Sequence, residues 1–252
     1  MSGRIYLPGL NGLRAIAAIS VVVSHINLNL KEFGFAQSTH ALQLAQFGVT
    51  MFFALSGFLI TYLLMKEREQ TGTVAVKKFY IRRILRIWPL YYFCFALVMV
   101  ADLVFRFGQN YHTLPLYALM LANVPAMTEV LFPYISHYWS LGVEEQFYLM
   151  WPWMMKKSRS PEKGVLWFLV GFMAFKAAGR FLEWKFQWIW GYRFASVTRF
   201  DCLAIGALGA VYCAQQKGRV FTWAQKRGVE VVSWLLLLVF MLRIICWKNC
   251  LM

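Results

Sequence analysis

The chain has 252 residues, of which 60% are apolar and 18% aromatic, with a mean hydropathy of +0.53. That is more apolar material than a soluble core of this size buries, and it reads as a protein embedded mostly in lipid. The formal charge of +15 is not a nucleic-acid footprint. The basic residues gather in three connecting segments, 66–86, 156–163 and 217–227, which is the positive-inside pattern of cytoplasmic loops.

The first apolar stretch, residues 10–30, contains Arg14 and His25. Eleven residues apart on a helix, they return to nearly the same face with roughly 16 Å of axial rise between them. Ionisable residues inside a span mark a functional site by default, because their desolvation must be offset by a partner or a use. A cleaved signal peptide is the other reading, since Arg4 precedes an apolar run at 15–23. Arg14 at the edge of that run and the lack of a small-residue cleavage pattern disfavour it.

Residues 47–65 run nineteen positions without a charge, enough to cross a hydrocarbon core of roughly 30 Å. Within them Ala54, Ser56 and Gly57 would let another backbone approach closely, the plainer reading being ordinary helix packing. Next comes a span at 87–105, entered through Arg82, Arg83 and Arg86, with Arg82 and Arg86 one helical turn apart. Their guanidinium forks suit phosphate and equally suit anionic lipid headgroups. The following stretch, 114–133, is broken by Pro115, Asn123, Pro125 and Pro133. Counted as a full crossing it would put 156–163 outside, so it reads as re-entrant or interfacial, covered by protein or lining a cavity.

Four further spans are expected at 138–155, 164–182, 198–214 and 228–247. Asp102, Glu144, Glu145, Lys176, Arg180, Asp201 and Arg243 fall within or near the spans and are expected to face the interior or snorkel to its rim. With the three basic segments cytoplasmic the N-terminus is cytoplasmic too, and seven full crossings then place His25 and Glu144 in the outer halves of their helices, where they could meet. A carboxylate beside an imidazole orients the ring and stabilises the imidazolium formed when it takes a proton, the pairing of many acyl-transfer sites. A buried structural ion pair is the alternative.

The five cysteines, Cys94, Cys202, Cys213, Cys246 and Cys250, form no CxxC pair, and His25, His40, His112 and His137 have no HExxH context, so neither a disulfide framework nor a metal site is implied. Internal repeats and appended soluble domains are also missing from the pattern. Residues 1–252 therefore read as one membrane-embedded domain, an all-α polytopic transmembrane helix bundle of about seven to eight spans.

Five blocks then carry a family resemblance. They are Leu10-Asn11-Gly12-Leu13-Arg14 with ten residues before His25, Phe52-Phe53-x-Leu55-Ser56-Gly57-Phe58-Leu59-Ile60, Arg82-Arg83-x-x-Arg86-Ile87-x-Pro89, Trp139-Ser140-Leu141-x-Val143-Glu144-Glu145-Gln146-Phe147-Tyr148, and Arg199-x-Asp201. In this order, over about residues 7–210, the chain resembles the acyltransferase-3 family of integral-membrane O-acyltransferases. The resemblance implies His25 as catalytic base with Arg14, Glu144 as its acidic helper, and Arg82, Arg83 and Arg86 on the phosphates of acyl-coenzyme A. It implies polar substrate or structural roles for Arg199, Asp201, Ser140 and Glu145. The donor is expected to be acetyl-coenzyme A with no metal, and the acceptor a hydroxyl-bearing glycan or lipid-linked molecule of the cell envelope, reached from a bacterial inner membrane. Thr50 stands where many members carry Asp after Gly-Val. The family's domain is longer, so the resemblance also implies C-terminal spans beyond Met252 and leaves an inactive truncated remnant as one reading. The competing class is a proton-coupled transporter or flippase of an anionic lipid-linked substrate, with His25, Glu144 and Asp201 as the relay.

Overall fold

An apolar chain in hydrocarbon satisfies its backbone by winding it into helices, and the computed structural model contains helices and no strand among the residues it describes, which are 9–30, 34–35, 41–107, 110–215, 226–229, 231–235 and 239. In chain order they are α1 (Leu10–Asn29), α2 (Ala41–Thr71), α3 (Val76–Phe105), a 3-10 turn (Tyr111–Thr113), α4 (Leu114–Ala118), α5 (Asn123–Met127), α6 (Tyr138–Lys157), α7 (Pro161–Phe186), α8 (Trp190–Thr198) and α9 (Phe200–Gln215). The ends follow local chemistry. Gly72, at φ 75°, stops α2 by taking the left-handed turn that glycine tolerates best, its N–H bonding Arg68 O at 2.9 Å. Pro161 opens α7 at a position where a missing N–H is harmless.

Among the described residues four helices are long and apolar enough to cross a membrane, Leu10–Leu28, Gln43–Thr71, Val76–Phe105 and Pro161–Phe186; a fifth crossing results if α8 and α9, bent by 40°, count as one. The expected seven to eight are not confirmed among the described residues, for three reasons. Glu144, Glu145 and Gln146 make α6 too polar to qualify, although it forms the helix expected at 138–155. The crossing expected at 198–214 is broken at Arg199, a left-handed residue at φ 44°, and extends back to Trp190. The span expected at 228–247 falls largely outside the described residues, as do Arg243, His40 and most of the basic segment 217–227.

Small residues set the closest packing. A Cβ on Gly57 would overlap the carbonyl oxygen of Leu203, and one on Gly206 would overlap that of Ala54, so α2 and α9 run backbone against backbone. Gly48 does the same for α1, where a Cβ would lie 2.7 Å from Val21 Cγ2 and 2.8 Å from Ala17 O. The ion pair Lys176 Nζ to Asp201 Oδ2, 3.1 Å, ties α7 to α9.

The helix α6 lies at the centre. Phe147 and Trp151 stack at 4.2 Å between centroids, both fully buried, and the Trp151 indole N–H donates to Thr61 Oγ1 at 2.7 Å. The proline-broken segment behaves as a covered connection. Tyr91 and Tyr138 are buried with Tyr117 and each donates its hydroxyl to a backbone carbonyl, Tyr117 O at 2.7 Å and Tyr91 O at 3.1 Å respectively, while Phe132 N–H donates to Tyr117 Oη. Asn123 and Gln146 exchange two side-chain amide bonds, at 3.1 and 2.7 Å, which fixes α5 against α6. Buried phenols and amides of this kind are stable only when their polar atoms are paired.

Candidate active site

Arg14, Val21 and His25, spaced along one face of α1, line a cavity of about 740 Å³ that also receives Ser56 from α2, Arg86 from α3, Glu144 from α6 and Arg199 from the α8–α9 corner. The eleven-residue stripe read from the sequence thus faces one space. Arg14 and Arg86 form no ion pair among the described residues, so the wall is rich in uncompensated positive charge. Glu144 is the carboxylate on it.

The two expected partners share the cavity without touching. Both oxygens of Glu144 are engaged, Oε1 by Ser56 Oγ at 2.8 Å and Oε2 by the hydroxyl of Tyr148 at 2.7 Å. His25 is exposed, makes no hydrogen bond among the described residues, and meets the ring of His137 edge-on at 6.4 Å. The expectation of an imidazole resting against a carboxylate is corrected accordingly: α6 turns Glu144 towards α2, leaving room between acid and ring. His137 stands just before α6, where burial first and the His25 ring second push its imidazole below its ordinary value.

The three arginines of α3 do three different things, because successive helical residues are turned by roughly 100°. Arg82 points outward, 3.4 Å from Glu67 Oε2. Arg83 turns inward, its guanidinium 5.5 Å from the ring centres of both Phe79 and Tyr148, where it acts electrostatically on Glu144 together with Arg14. Arg86 opens into the cavity. Exposed ion pairs contribute at most about 1 kcal/mol, whereas a desolvated guanidinium on two aromatic faces contributes about 1–3 kcal/mol. Arg83→Ala is therefore expected to lower the thermal unfolding temperature of the detergent-solubilised protein clearly, and Arg82→Ala to leave it almost unchanged. Equal effects would contradict the inward placement.

The remaining candidates separate. Arg199 lines the cavity and donates Nη1 to Thr50 Oγ1 at 2.7 Å and to Gln46 O at 3.4 Å, so a hydroxyl rather than a carboxylate receives this guanidinium and its charge stays in the cavity. Ser140 also lines the wall, with its hydroxyl on His137 O at 3.1 Å. Glu145 accepts from the Trp88 indole N–H at 3.5 Å, and its Oε1 is buried without a partner among the described residues. Asp201 is not part of the cavity wall and pairs with Lys176, which removes it from the relay that a transporter would need. Tyr148 and Ser56 are the partners of Glu144 that the sequence reading did not assign to the site. Both stand inside blocks that carry the family resemblance, and Tyr148 lies one helical turn from Glu144, but nothing in the sequence placed Ser56 opposite that carboxylate. Among the described residues no three His, Cys, Asp or Glu side chains converge on a metal-sized site.

A helical membrane bundle enclosing one cationic cavity with a carboxylate and an imidazole on its wall is the class of protein these features define. The sequence profile of the acyltransferase domain matches residues 7–247, and the chain belongs to that acyltransferase family. It is 33% identical over 157 residues to the O-acetyltransferase OatA of Staphylococcus aureus (strain NCTC 8325 / PS 47), covering 58% of this chain and 24% of that protein. SACOL0978 of Staphylococcus aureus (strain COL), named as a suspected O-acetyltransferase, is 34% identical with the same coverage. The chain thus spans about a quarter of the length of these curated relatives. No solved structure matches.

Proposed function

We propose that this chain moves an acyl group, acetyl in the first instance, from acyl-coenzyme A to a hydroxyl of a carbohydrate or other cell-envelope acceptor, with His25 as general base and Glu144 as its electrostatic support. The observation that carries this reading is the single cavity shared by His25, Glu144, Arg14 and Arg199. In this reading the N-terminus is cytoplasmic in a bacterial inner membrane and the donor arrives from the basic end of α3. Arg82 and Arg86 meet its phosphates, and Arg83 serves from within by holding Tyr148 and Glu144.

The chemistry balances without a metal. His25 accepts the proton of the acceptor hydroxyl as its oxygen attacks the thioester carbonyl, and a tetrahedral oxyanion forms. Arg14 or Arg199, both already on the wall, supplies positive charge where that oxyanion develops. The carbon–sulfur bond then breaks, the thiolate takes the proton back from the imidazolium, and an ester and free coenzyme A leave. Glu144, which accepts two hydrogen bonds from Ser56 and Tyr148, is assigned to support the transient imidazolium across the cavity rather than by contact.

The test is donor binding. In nanodiscs, acetyl-coenzyme A or its non-hydrolysable thioether analogue at a hundredfold excess over Kd should stabilise the folded protein by about 2.7 kcal/mol, read as a rise in unfolding temperature. Coenzyme A thiol should appear when a hydroxyl acceptor is added. Absence of both the stabilisation and the thiol would sink the proposal.

A further inference from the structure

Beside the cavity, between α3 and α6, runs a second space of about 530 Å³ walled by Leu90, Cys94, Leu97 and Val98 on one side and by Tyr134 and Tyr138 on the other. It shares Arg86, His137 and Leu141 with the cavity, so the two adjoin at these residues. We propose that this groove seats the hydrocarbon tail of a lipid-borne acceptor whose hydroxyl-bearing head lies in the cavity. The proposal rests on the acyl-transfer reading above and names the class of acceptor.

Three observations support this occupant. The groove's outer lip is formed by Leu90 and Leu97, 66% and 58% exposed, on a helix long and apolar enough to span a membrane; its open side therefore faces hydrocarbon. The division of polarity matches an amphipathic molecule, with arginines, imidazoles and a carboxylate at one end and aliphatic and aromatic walls at the other. The length suits a tail, because the groove extends from Arg86 towards Val98, roughly 18 Å of helical rise along the span.

Lipid tails are as apolar as leucine, so moving a tail from bilayer to groove yields little hydrophobic gain. The groove acts by orientation, holding the head group's hydroxyl near His25 so that attack becomes effectively unimolecular. A preference for tailed acceptors that came only from partition into the bilayer would survive filling of the groove. A preference set by the groove would not.

The experiment uses the full chain in nanodiscs with dodecyl β-glucoside carrying a diazirine in mid-chain, and compares acetyl transfer from acetyl-coenzyme A to dodecyl and methyl β-glucoside. Photoadducts are expected to concentrate on residues 87–98 and 134–141. Cys94→Trp should abolish that concentration and reduce the dodecyl-to-methyl rate ratio roughly tenfold, with Leu97→Trp as the second variant should the first not fold. Adducts spread evenly over the lipid-facing residues of α3 and α7, or an unchanged ratio in a folded variant, would overturn the proposal. Adducts concentrated in the groove with neither glycoside acylated would leave the tail seat standing and count against acyl transfer.

Discussion

Replacing His25 with alanine is expected to reduce acyl transfer by roughly 10²–10⁴-fold, the usual contribution of a positioned general base, while the protein stays folded in the membrane. The separation of the two effects follows from the ring's situation. It is exposed to the cavity and makes no hydrogen bond among the described residues, so its removal leaves no buried partner unpaired and little packing is lost. Initial rates with radiolabelled acetyl-coenzyme A, set beside thermal unfolding of the same preparation, check both halves. A fully active variant removes His25 from the chemistry. A variant that unfolds makes the histidine structural.

The second large effect belongs to Gly57. An alanine there must push its methyl into the carbonyl of Leu203, and backbone cannot yield as a side-chain tip does. Overpacking of this kind costs about 1–3 kcal/mol and displaces neighbouring elements. Ser56, adjacent on α2, would move with them and weaken its bond to Glu144, so activity should fall along with the unfolding temperature. Gly171→Ala is the control. No atom lies within 4 Å of a Cβ placed there, and in a helix interior that exchange should be neutral or stabilising by about 0.5–1 kcal/mol. Equal behaviour of the two variants would mean that α2 and α9 are not in backbone contact.

Much of this arrangement was legible in the sequence because it depends on helical periodicity and residue size. The spacing of Arg14 and His25 put both on one face, and both line the cavity. Ala54 and Gly57 marked a close approach, and the α2–α9 seam runs through them. Prolines 115, 125 and 133 forecast a broken connection rather than a crossing, and α4 and α5 are short helices, α4 placing Tyr117 in a buried cluster with Tyr91 and Tyr138 and α5 tied to α6 through Asn123. What periodicity does not carry is the rotation of one helix against another. That Glu144 faces Ser56 and Tyr148 instead of the histidine is set by how α6 is turned between α2 and α3. The bend at Arg199 was hidden for a different reason. Neither proline nor glycine marks it, and the left-handed residue is an arginine whose strain is offset by tertiary bonds to Thr50 and Gln46. The family resemblance groups Arg82, Arg83 and Arg86 by adjacency in sequence, and a motif does not record the angle between neighbours that sends their side chains in three directions.

The paired amides of Asn123 and Gln146 act as a ruler. Two donors meet two acceptors in one alignment only, so sliding α6 by a single residue would forfeit both bonds together. The ten residues between α5 and α6, ending at His137, are thereby pinned at either end. Outside the buried Phe132 and Ile135 their length matters more than their side chains, since an inserted or deleted residue there would carry the second imidazole out of line with the first.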